Sequence, residues 1–223
     1  MLTPYDWQEG IGHRAQYVEN KLAQGAPVLA LSIEEGILIL SFRRTTKKIY
    51  EVYDRLAYAA IGQQSDIETL RVAAIDFAHQ EGYNRSEQDV TLQRVVTALS
   101  GAVKKAFGDF STSPFVARSL FVEVGAKPEL DTFAILDYDG DFVTRRRYAF
   151  VAGDEEAEKK IEARMSEISG QKLNLKKAEK ELRDAWTASR EEGANEDLAA
   201  EIVLLDRSEA RENRFRILEE PEE

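Results

Sequence analysis

Short apolar runs separated by turn residues dominate the first part of the chain. Val28–Ile33 and Ile37–Phe42 are apolar, and Glu34-Glu35-Gly36 between them is typical of a tight turn. Ile49–Val52 and Arg55–Ile61 follow in the same manner. This succession predicts four strands in an antiparallel meander. Because the longer runs are apolar at consecutive positions, we expect parts of the sheet to be covered on both faces.

Residues ahead of the first strand have the periodicity of a helix. Asp6 is a suitable N-cap, apolar residues then recur at helical spacing, and Gly25 stands where a helix C-terminal glycine is expected. The pattern predicts a helix from Trp7 to Gln24, preceded by a few free residues.

The rest of the chain alternates helix pairs with strands. Two helices are predicted after the meander, one opening at Ser65 or Asp66 and one at Ser86, and they should pack as an antiparallel pair. The remaining predicted elements are strands Phe115–Val124, Thr132–Asp137, Phe142–Arg147 and Tyr148–Val151 (the last two continuing a hairpin that turns at Asp137–Gly140), helices Gly153–Ile168 and Leu173–Arg190, and strands Ala199–Leu205 and Phe215–Leu218.

The order of these elements predicts an α+β fold. Two sheets packed face to face with helices outside give a four-layer α-β-β-α sandwich, in which each half of the chain supplies one sheet and one helix pair. We expect a single domain over residues 1–223, long enough to bury a full core. Its predicted parts are a leading segment 1–6, the extra N-terminal helix 7–24, the sandwich 26–218 and an acidic tail 219–223.

Composition and charge exclude several classes of function. A net charge of -11 argues against a nucleic-acid-binding protein. The chain has no cysteine, so it has neither disulfides nor thiolate metal sites, as expected for a cytoplasmic protein. No secretory leader is evident, and no apolar run approaches the roughly 18–20 residues of a membrane helix.

Other groups that can carry chemistry do not converge on a catalytic or metal site. His13 and His79 fall on separate predicted helices, so surface or packing roles are favoured over a dyad. Residues 137–141 alternate carboxylates around Gly140, which predicts a hairpin turn rather than a calcium loop. The basic run Arg145–Arg147 is interpreted as a source of cross-strand or inter-subunit pairs. No cofactor is predicted.

Several motifs, in their order along the chain, are those of a known family. Together they resemble bacterial proteasome α-type subunits, which have the Ntn-hydrolase fold of the 20S core particle, over about residues 6–218. The segments that carry the resemblance are Lys47-Lys48-Ile49, the small-residue strand within Tyr53–Gly62, Ile67–Phe77, Gly82-Tyr83, Asp89-Val90-Thr91 and the aspartate-glycine turn Leu136–Gly140.

The resemblance implies a chain without catalytic residues. Active β-type subunits of the family use an N-terminal threonine, whose own amine takes the proton, beside an acid and a lysine. Matching the first hairpin puts Ala26 at the threonine position, Phe42 at the acid position and Lys48 at the lysine position. Gly25-Ala26-Pro27 also lacks a glycine-threonine processing junction. These departures are typical of α-type subunits.

For partner binding, the resemblance implies a role for Lys48. The matching lysine of α-type subunits lines a pocket between neighbours, where the C-terminal carboxylate of an ATPase activator docks. A solvated strand-end lysine is the simpler alternative. Lys47 would take the role if the register is off by one residue, because such a slip reverses the faces of a strand.

The resemblance also implies a gate and a ring. The gate would be Met1, Leu2, Thr3, Pro4 and Tyr5, for which a merely disordered terminus is the alternative. The first helix would pack between neighbouring α subunits of a seven-membered ring, which docks on β-type subunits and admits protein substrates that carry a ubiquitin-like tag. The residues expected to assemble the ring are Trp7, Ile11, Val18 and Leu22.

Two other functions remain open from the sequence. One is a catalytically active homologue with an unrecognised nucleophile, which would cleave small peptides by itself. The other is a stand-alone scaffold on the same fold, which would have no β-type partner.

Overall fold

The computed structural model describes residues 4–190, 198–208 and 213–219. Within them the α-helices are α1 (Pro4–Leu22), α2 (Gln64–Asn84), α3 (Leu92–Gly108), α4 (Glu155–Ile168) and α5 (Leu175–Ala188). The strands in the same ranges are β1 (Val28–Ile33), β2 (Gly36–Arg43), β3 (Ile49–Tyr53), β4 (Leu56–Gly62), β5 (Ala117–Glu123), β6 (Thr132–Leu136), β7 (Phe142–Arg145), β8 (Tyr148–Val151), β9 (Ala199–Asp206) and β10 (Phe215–Glu219).

The described strands form two five-stranded sheets. The first sheet has the order β10-β9-β2-β1-β8 and the second β3-β4-β5-β6-β7. The predicted meander is therefore wrong: β1 pairs with β2 in the first sheet, and β3 pairs with β4 in the second. The chain changes sheets in the polar segment between Arg43 and Ile49. The hairpin predicted around the turn at Gly140 is confirmed, because β6 pairs with β7. Its predicted continuation into β8 is wrong, since β8 lies in the first sheet.

Helices cover the outer face of each sheet, which confirms the α-β-β-α sandwich. The pair α2 and α3 packs on the second sheet, and the pair α4 and α5 packs on the first. The prediction that each half of the chain supplies its own sheet is wrong. The first sheet takes β1 and β2 from the first half and β8, β9 and β10 from the second. This exchange ties the two halves into one core.

Central strands bury both of their faces, as their continuous apolar runs predict. On β1, Val28 and Ala30 face the core between the sheets, whereas Leu29 and Leu31 face α4 and α5. The tight turn between β1 and β2 requires glycine. Gly36 has φ +156°, and a Cβ there would lie 2.1 Å from the carbonyl oxygen of Leu205 on the neighbouring strand.

The starts of α1 and α3 differ most from the predicted ones. α1 begins at Pro4 rather than Trp7, in accord with the suitability of proline for a first helical turn. α3 begins after Thr91, whose side chain accepts a hydrogen bond from a first-turn amide. The predicted start at Ser86 instead precedes a short 3-10 turn over Glu87–Asp89.

α1 closes one end of the space between the sheets. Val18 and Leu22 are 0% exposed and pack in the inter-sheet core with residues such as Val28 and Ile61. Their predicted role in ring contacts is therefore corrected, because these side chains complete the core of their own chain. Gly153, ahead of α4, permits this packing, since a Cβ there would lie 2.0 Å from the Leu22 carbonyl oxygen.

Candidate functional site

A cavity of about 860 Å³ opens at the end of the sandwich where β1 begins and where β2 and β4 end. The connection from α1 to β1, the segment after β2, the first turn of α4 and the residues after α5 complete its walls. Ala26, Phe42 and Lys48 all line it. The structure therefore brings together the three residues that the resemblance matches to the nucleophile, acid and lysine of a threonine protease.

At the nucleophile position the backbone is continuous and fixed. Ala26 presents a methyl group, and its nitrogen belongs to the peptide bond with Gly25. The carbonyl oxygen of Pro27 accepts hydrogen bonds from Ser41 Oγ at 2.9 Å and from Trp186 Nε1 at 3.0 Å. These buried donors hold the start of β1 against β2 and α5. The position offers neither a hydroxyl nor a free amine for acyl transfer.

At the acid position the side chain belongs to a packed aromatic group. The Phe42 ring lies 4.1 Å from the Trp186 ring, centroid to centroid. The guanidinium of Arg183 lies 5.9 Å from the centroid of the Phe42 ring. Phe42 therefore stabilises the contact between β2 and α5 and has no titratable group.

Lys48, the third of these matched residues, points toward Ala26. Lys48 Nζ donates a hydrogen bond to the carbonyl oxygen of Ala26 at 2.8 Å. The backbone amides of Lys48 and Ile49 donate to the two carboxylate oxygens of Glu201, at 3.0 and 3.2 Å. A half-buried ammonium held in this way can receive an anionic group in a charge-assisted hydrogen bond.

A buried ion pair fixes the backbone that carries Lys48. Arg43 Nε lies 3.4 Å from Glu201 Oε2, and the two side chains are only 4% and 3% exposed. On the other side, the Tyr50 hydroxyl donates to the Lys47 carbonyl oxygen at 2.5 Å. The hydroxyl is protonated at neutral pH, and burial raises the pKa of Tyr50 further above its ordinary 10.0.

Glu201 and Arg43 belong to this site but were not among the residues predicted from the sequence. The available signal was an acidic residue inside the apolar run of β9, whose other central residues are buried. A charge at such a position requires a partner, but the partner is distant in the sequence. Only the pairing of β9 with β2 brings the two together.

The other polar candidates have local roles. His79 contacts the Ile75 carbonyl oxygen at 2.8 Å and the edge of the Tyr53 ring, while His13 is exposed on α1. The turn predicted around Gly140 is confirmed by its φ of +88°. Arg145 pairs with Glu162 at 3.0 Å. Within the described part of the chain, no group of three or more acidic or histidine side chains could hold a metal ion.

The residues predicted for gating and ring assembly lie on or before α1. Met1, Leu2 and Thr3 are outside the described residues, and Pro4 and Tyr5 form the first turn of α1 instead of a free segment. The tail residues 220–223 are also outside them. Trp7 is 45% exposed and packs edge-on against Phe110 at 4.8 Å, and Ile11 packs partly buried on the inter-sheet core.

None of the described helices combines the length and apolar character that crossing a membrane requires.

The similar proteins found by comparison share one name, proteasome subunit alpha. The chain is 31% identical to the proteasome subunit alpha of Thermobifida fusca over 201 residues, covering 87% of this chain and 78% of the relative. It is 30% identical to that of Kineococcus radiotolerans over 235 residues, covering 99% and 96%. The corresponding protein of Acidothermus cellulolyticus is 29% identical over 219 residues, covering 95% and 92%. No family model matches the chain.

Proposed function

The chain belongs to the proteasome α-subunit family, and from that premise we propose that it is a non-catalytic subunit of the outer ring. In this proposal β-type subunits cleave the substrate, while the α ring admits it and docks an activator. The observation that carries the proposal is the hydrogen bond from Lys48 to Ala26, because it places the lysine where a nucleophile is missing. In this proposal the position holds a cavity with a lysine beside an alanine and serves docking rather than catalysis.

The cavity at Lys48 is the proposed docking site for the C-terminal tail of an ATPase activator. Its volume of about 860 Å³ lies within the range of roughly 300–1,000 Å³ that is typical of ligand pockets. The terminal carboxylate of the tail would accept a hydrogen bond from Lys48 Nζ in place of the Ala26 carbonyl oxygen. Glu201 and Tyr50 hold the backbone on both sides of Lys48, so the ammonium is positioned before the tail arrives.

The exposed side of α1 is the proposed contact between neighbouring α subunits. Trp7 and Ile11 keep this predicted role, since their side chains are not enclosed by their own chain as those of Val18 and Leu22 are. Repeated heterologous contacts that close on themselves give a ring, here proposed to be seven-membered. The residues from Met1 to Tyr5 precede or begin α1 and would gate the axial pore. Substrates would be proteins of the cytoplasm that carry a tag.

A peptidase assay on the chain with and without its β-type partner tests the proposal. We expect fluorogenic peptides to be cleaved only when both chains are present. Cleavage by this chain alone would favour a catalytically active homologue, and failure to assemble with any threonine-bearing partner would favour a stand-alone scaffold.

A further inference from the structure

The two ends of α1 are held by different parts of the chain. Near its C-terminus, Val18 and Leu22 are enclosed in the inter-sheet core. Nearer its N-terminus, Trp7, Gly10 and Arg14 face the turn that follows α3. These three residues are spaced by three and four positions, so they lie on one face of the helix. The contacts of this face hold the first half of α1.

Arg14 binds the C-terminal end of α3. Its Nη2 donates hydrogen bonds to the carbonyl oxygens of Ala106, at 3.1 Å, and Thr112, at 2.8 Å. Ala106 lies in the last turn of α3, where backbone carbonyls have no partner within a helix and carry partial negative charge. One guanidinium thus joins α1 both to the end of α3 and to the turn beyond it.

The aromatic ring of Phe110 completes this attachment. The guanidinium carbon of Arg14 lies 5.2 Å from the ring centroid, a cation–π distance, and the Trp7 ring packs edge-on against it at 4.8 Å. Gly10 lets the ring lie directly on the helix, because a Cβ there would be 2.8 Å from two of the ring carbons. Phe110 is therefore seated between Arg14 and Trp7, and the contacts that fix Arg14 also limit where Trp7 lies.

The turn that receives Arg14 has hydrogen bonds of its own. The backbone amide and the hydroxyl of Ser111 both donate to Asp109 Oδ1, at 2.9 and 2.6 Å. The backbone amide and the hydroxyl of Thr112 both donate to the Asp109 carbonyl oxygen at 3.1 Å. Side-chain hydrogen bonds of this kind stabilise a turn, so the turn is a fixed base for Arg14.

The length of α1 makes the position of Trp7 sensitive to this attachment. Trp7 lies eleven positions before the enclosed Val18, or about 16 Å along the helix axis. A tilt of about 20° at the enclosed end would move Trp7 by about 5 Å over that length. Packed side chains are in contact only within about 4–4.5 Å, so a tilt of this size would remove Trp7 from an interface.

We infer that Arg14 is the positioning residue that holds the first half of α1, and with it Trp7, for contact with a neighbouring copy of this chain. The inference rests on the proposed ring contact of α1 and adds the residue that prepares that surface. Without the guanidinium, the first half of α1 would have to be ordered during assembly. The concentration needed for half-assembly should then rise roughly threefold to tenfold.

Fluorine NMR of the full chain labelled with fluorotryptophan tests the inference. The chain has two tryptophans. Trp7 reports on the first half of α1, and Trp186, packed against Phe42, reports on the rest of the fold. The Trp7→Phe variant assigns the two resonances. Spectra of the wild type and Arg14→Met are compared with those of Lys21→Met, a matched control that removes an exposed cation from the last turn of the same helix.

Sedimentation of dilution series with the β-type partner gives the concentration of half-assembly for the wild type and Arg14→Met. We expect Arg14→Met to raise this concentration and to shift the Trp7 resonance but not that of Trp186, whereas Lys21→Met should shift neither resonance.

Three results would overturn the inference. Arg14→Met would shift both resonances if Arg14 supported the whole fold, and neither if it held nothing in place. An equal shift of the Trp7 resonance in Lys21→Met would assign the effect to the lost charge instead of the contacts of Arg14. A shift of the Trp7 resonance in Arg14→Met with unchanged assembly would leave the positioning by Arg14 in place and overturn the proposed ring contact of α1.

Discussion

The ammonium group of Lys48 donates a hydrogen bond to the carbonyl oxygen of Ala26 at 2.8 Å. In a threonine protease a lysine at this position would tune a hydroxyl and a free amine. Here it faces a peptide carbonyl ahead of a methyl-bearing residue, and the acid position holds Phe42. At these matched positions the lysine is present, but the hydroxyl and the free amine that it would tune are not. This lysine is the group that we propose binds the carboxylate of an activator tail.

Lys48→Ala is predicted to shift stimulation of the assembled particle to higher concentrations of activator tail peptides. A charge-assisted hydrogen bond contributes about 1.5–3 kcal/mol, so the affinity for the tail should fall by about tenfold or more. The free energy of unfolding should change by less than about 1 kcal/mol, because Lys48 is only half-buried. Peptide titration of fluorogenic hydrolysis and denaturant unfolding measure the two effects.

Lys47→Ala is the matched control for that substitution. Lys47 is adjacent in sequence but lines a separate, smaller cavity beside β10, so its removal should leave the stimulation unchanged. If Lys47→Ala reduced the stimulation by tail peptides and Lys48→Ala did not, the docking role would belong to Lys47.

Glu201→Gln is predicted to destabilise the fold by about 3 kcal/mol, because it leaves the buried Arg43 cation without its carboxylate. A glutamine can still accept from one of the backbone amides that bind Glu201. In a Glu201→Gln background, Arg43→Met should therefore cost at least about 1 kcal/mol less than it costs alone. Urea unfolding of the four proteins gives this coupling, and additive losses would show that the pair contributes little.

Gly153→Ala is predicted to destabilise the packing of α1 by about 2–4 kcal/mol, since the added methyl would overlap backbone atoms that cannot rotate away. The Cβ would lie 2.0 Å from the Leu22 carbonyl oxygen. Gly12→Ala, on α1 itself, has nothing within 4 Å of its added Cβ and should stabilise the helix by about 0.5–1 kcal/mol. Equal effects in urea unfolding would contradict the close approach of α1 to the start of α4.

Tyr138→Phe should remove a hydrogen bond whose contribution depends on pH. The Tyr138 hydroxyl donates to Glu19 Oε1 at 2.8 Å, and burial, together with that bond, raises the pKa of Tyr138 above its ordinary 10.0. The contribution is fully present below pH 10.0 and is lost as the pH rises, because the unfolded chain then releases the proton first. At pH about 8 we expect a loss of about 1–2 kcal/mol.

Unfolding of the wild type and Tyr138→Phe at pH about 8 and about 11 checks this sign. The difference in stability should narrow at the higher pH, whereas Tyr17→Phe, on the exposed side of α1, should differ little from the wild type at pH about 8. A difference that widens with pH would contradict the assignment.

The layers of the fold followed from sequence periodicity, but the assignment of strands to sheets did not. The turn at Glu34-Glu35-Gly36 sets the pairing of β1 with β2. Nothing local tells whether the next hairpin joins the same sheet, because strands covered on both faces have the same apolar pattern in either one. That choice depends on pairing between distant strands, such as β2 with β9.

The candidate site was predicted only in part, because some of its residues are distant from one another in the sequence. Ala26, Phe42 and Lys48 were identified by matching one hairpin and the segment after it to the resembled family, and all three line the cavity. Glu201 lies more than 150 positions from Lys48, so no short-range pattern connects them. Val18 and Leu22 have the spacing of an exposed apolar stripe, but the open end of the sandwich encloses them. Periodicity shows which side chains need burial without showing what buries them.

The central claim is that this chain provides a ring and a docking site while the chemistry is performed by its partner. Hydrolysis of fluorogenic peptides by the purified chain, alone and co-assembled with its β-type partner, tests it most directly, with intact mass measured on the same samples. The account predicts no hydrolysis by the chain alone, hydrolysis by the co-assembly, and a mass that includes α1. Peptide cleavage by the chain alone, with a mature N-terminus at or near Ala26, would contradict it.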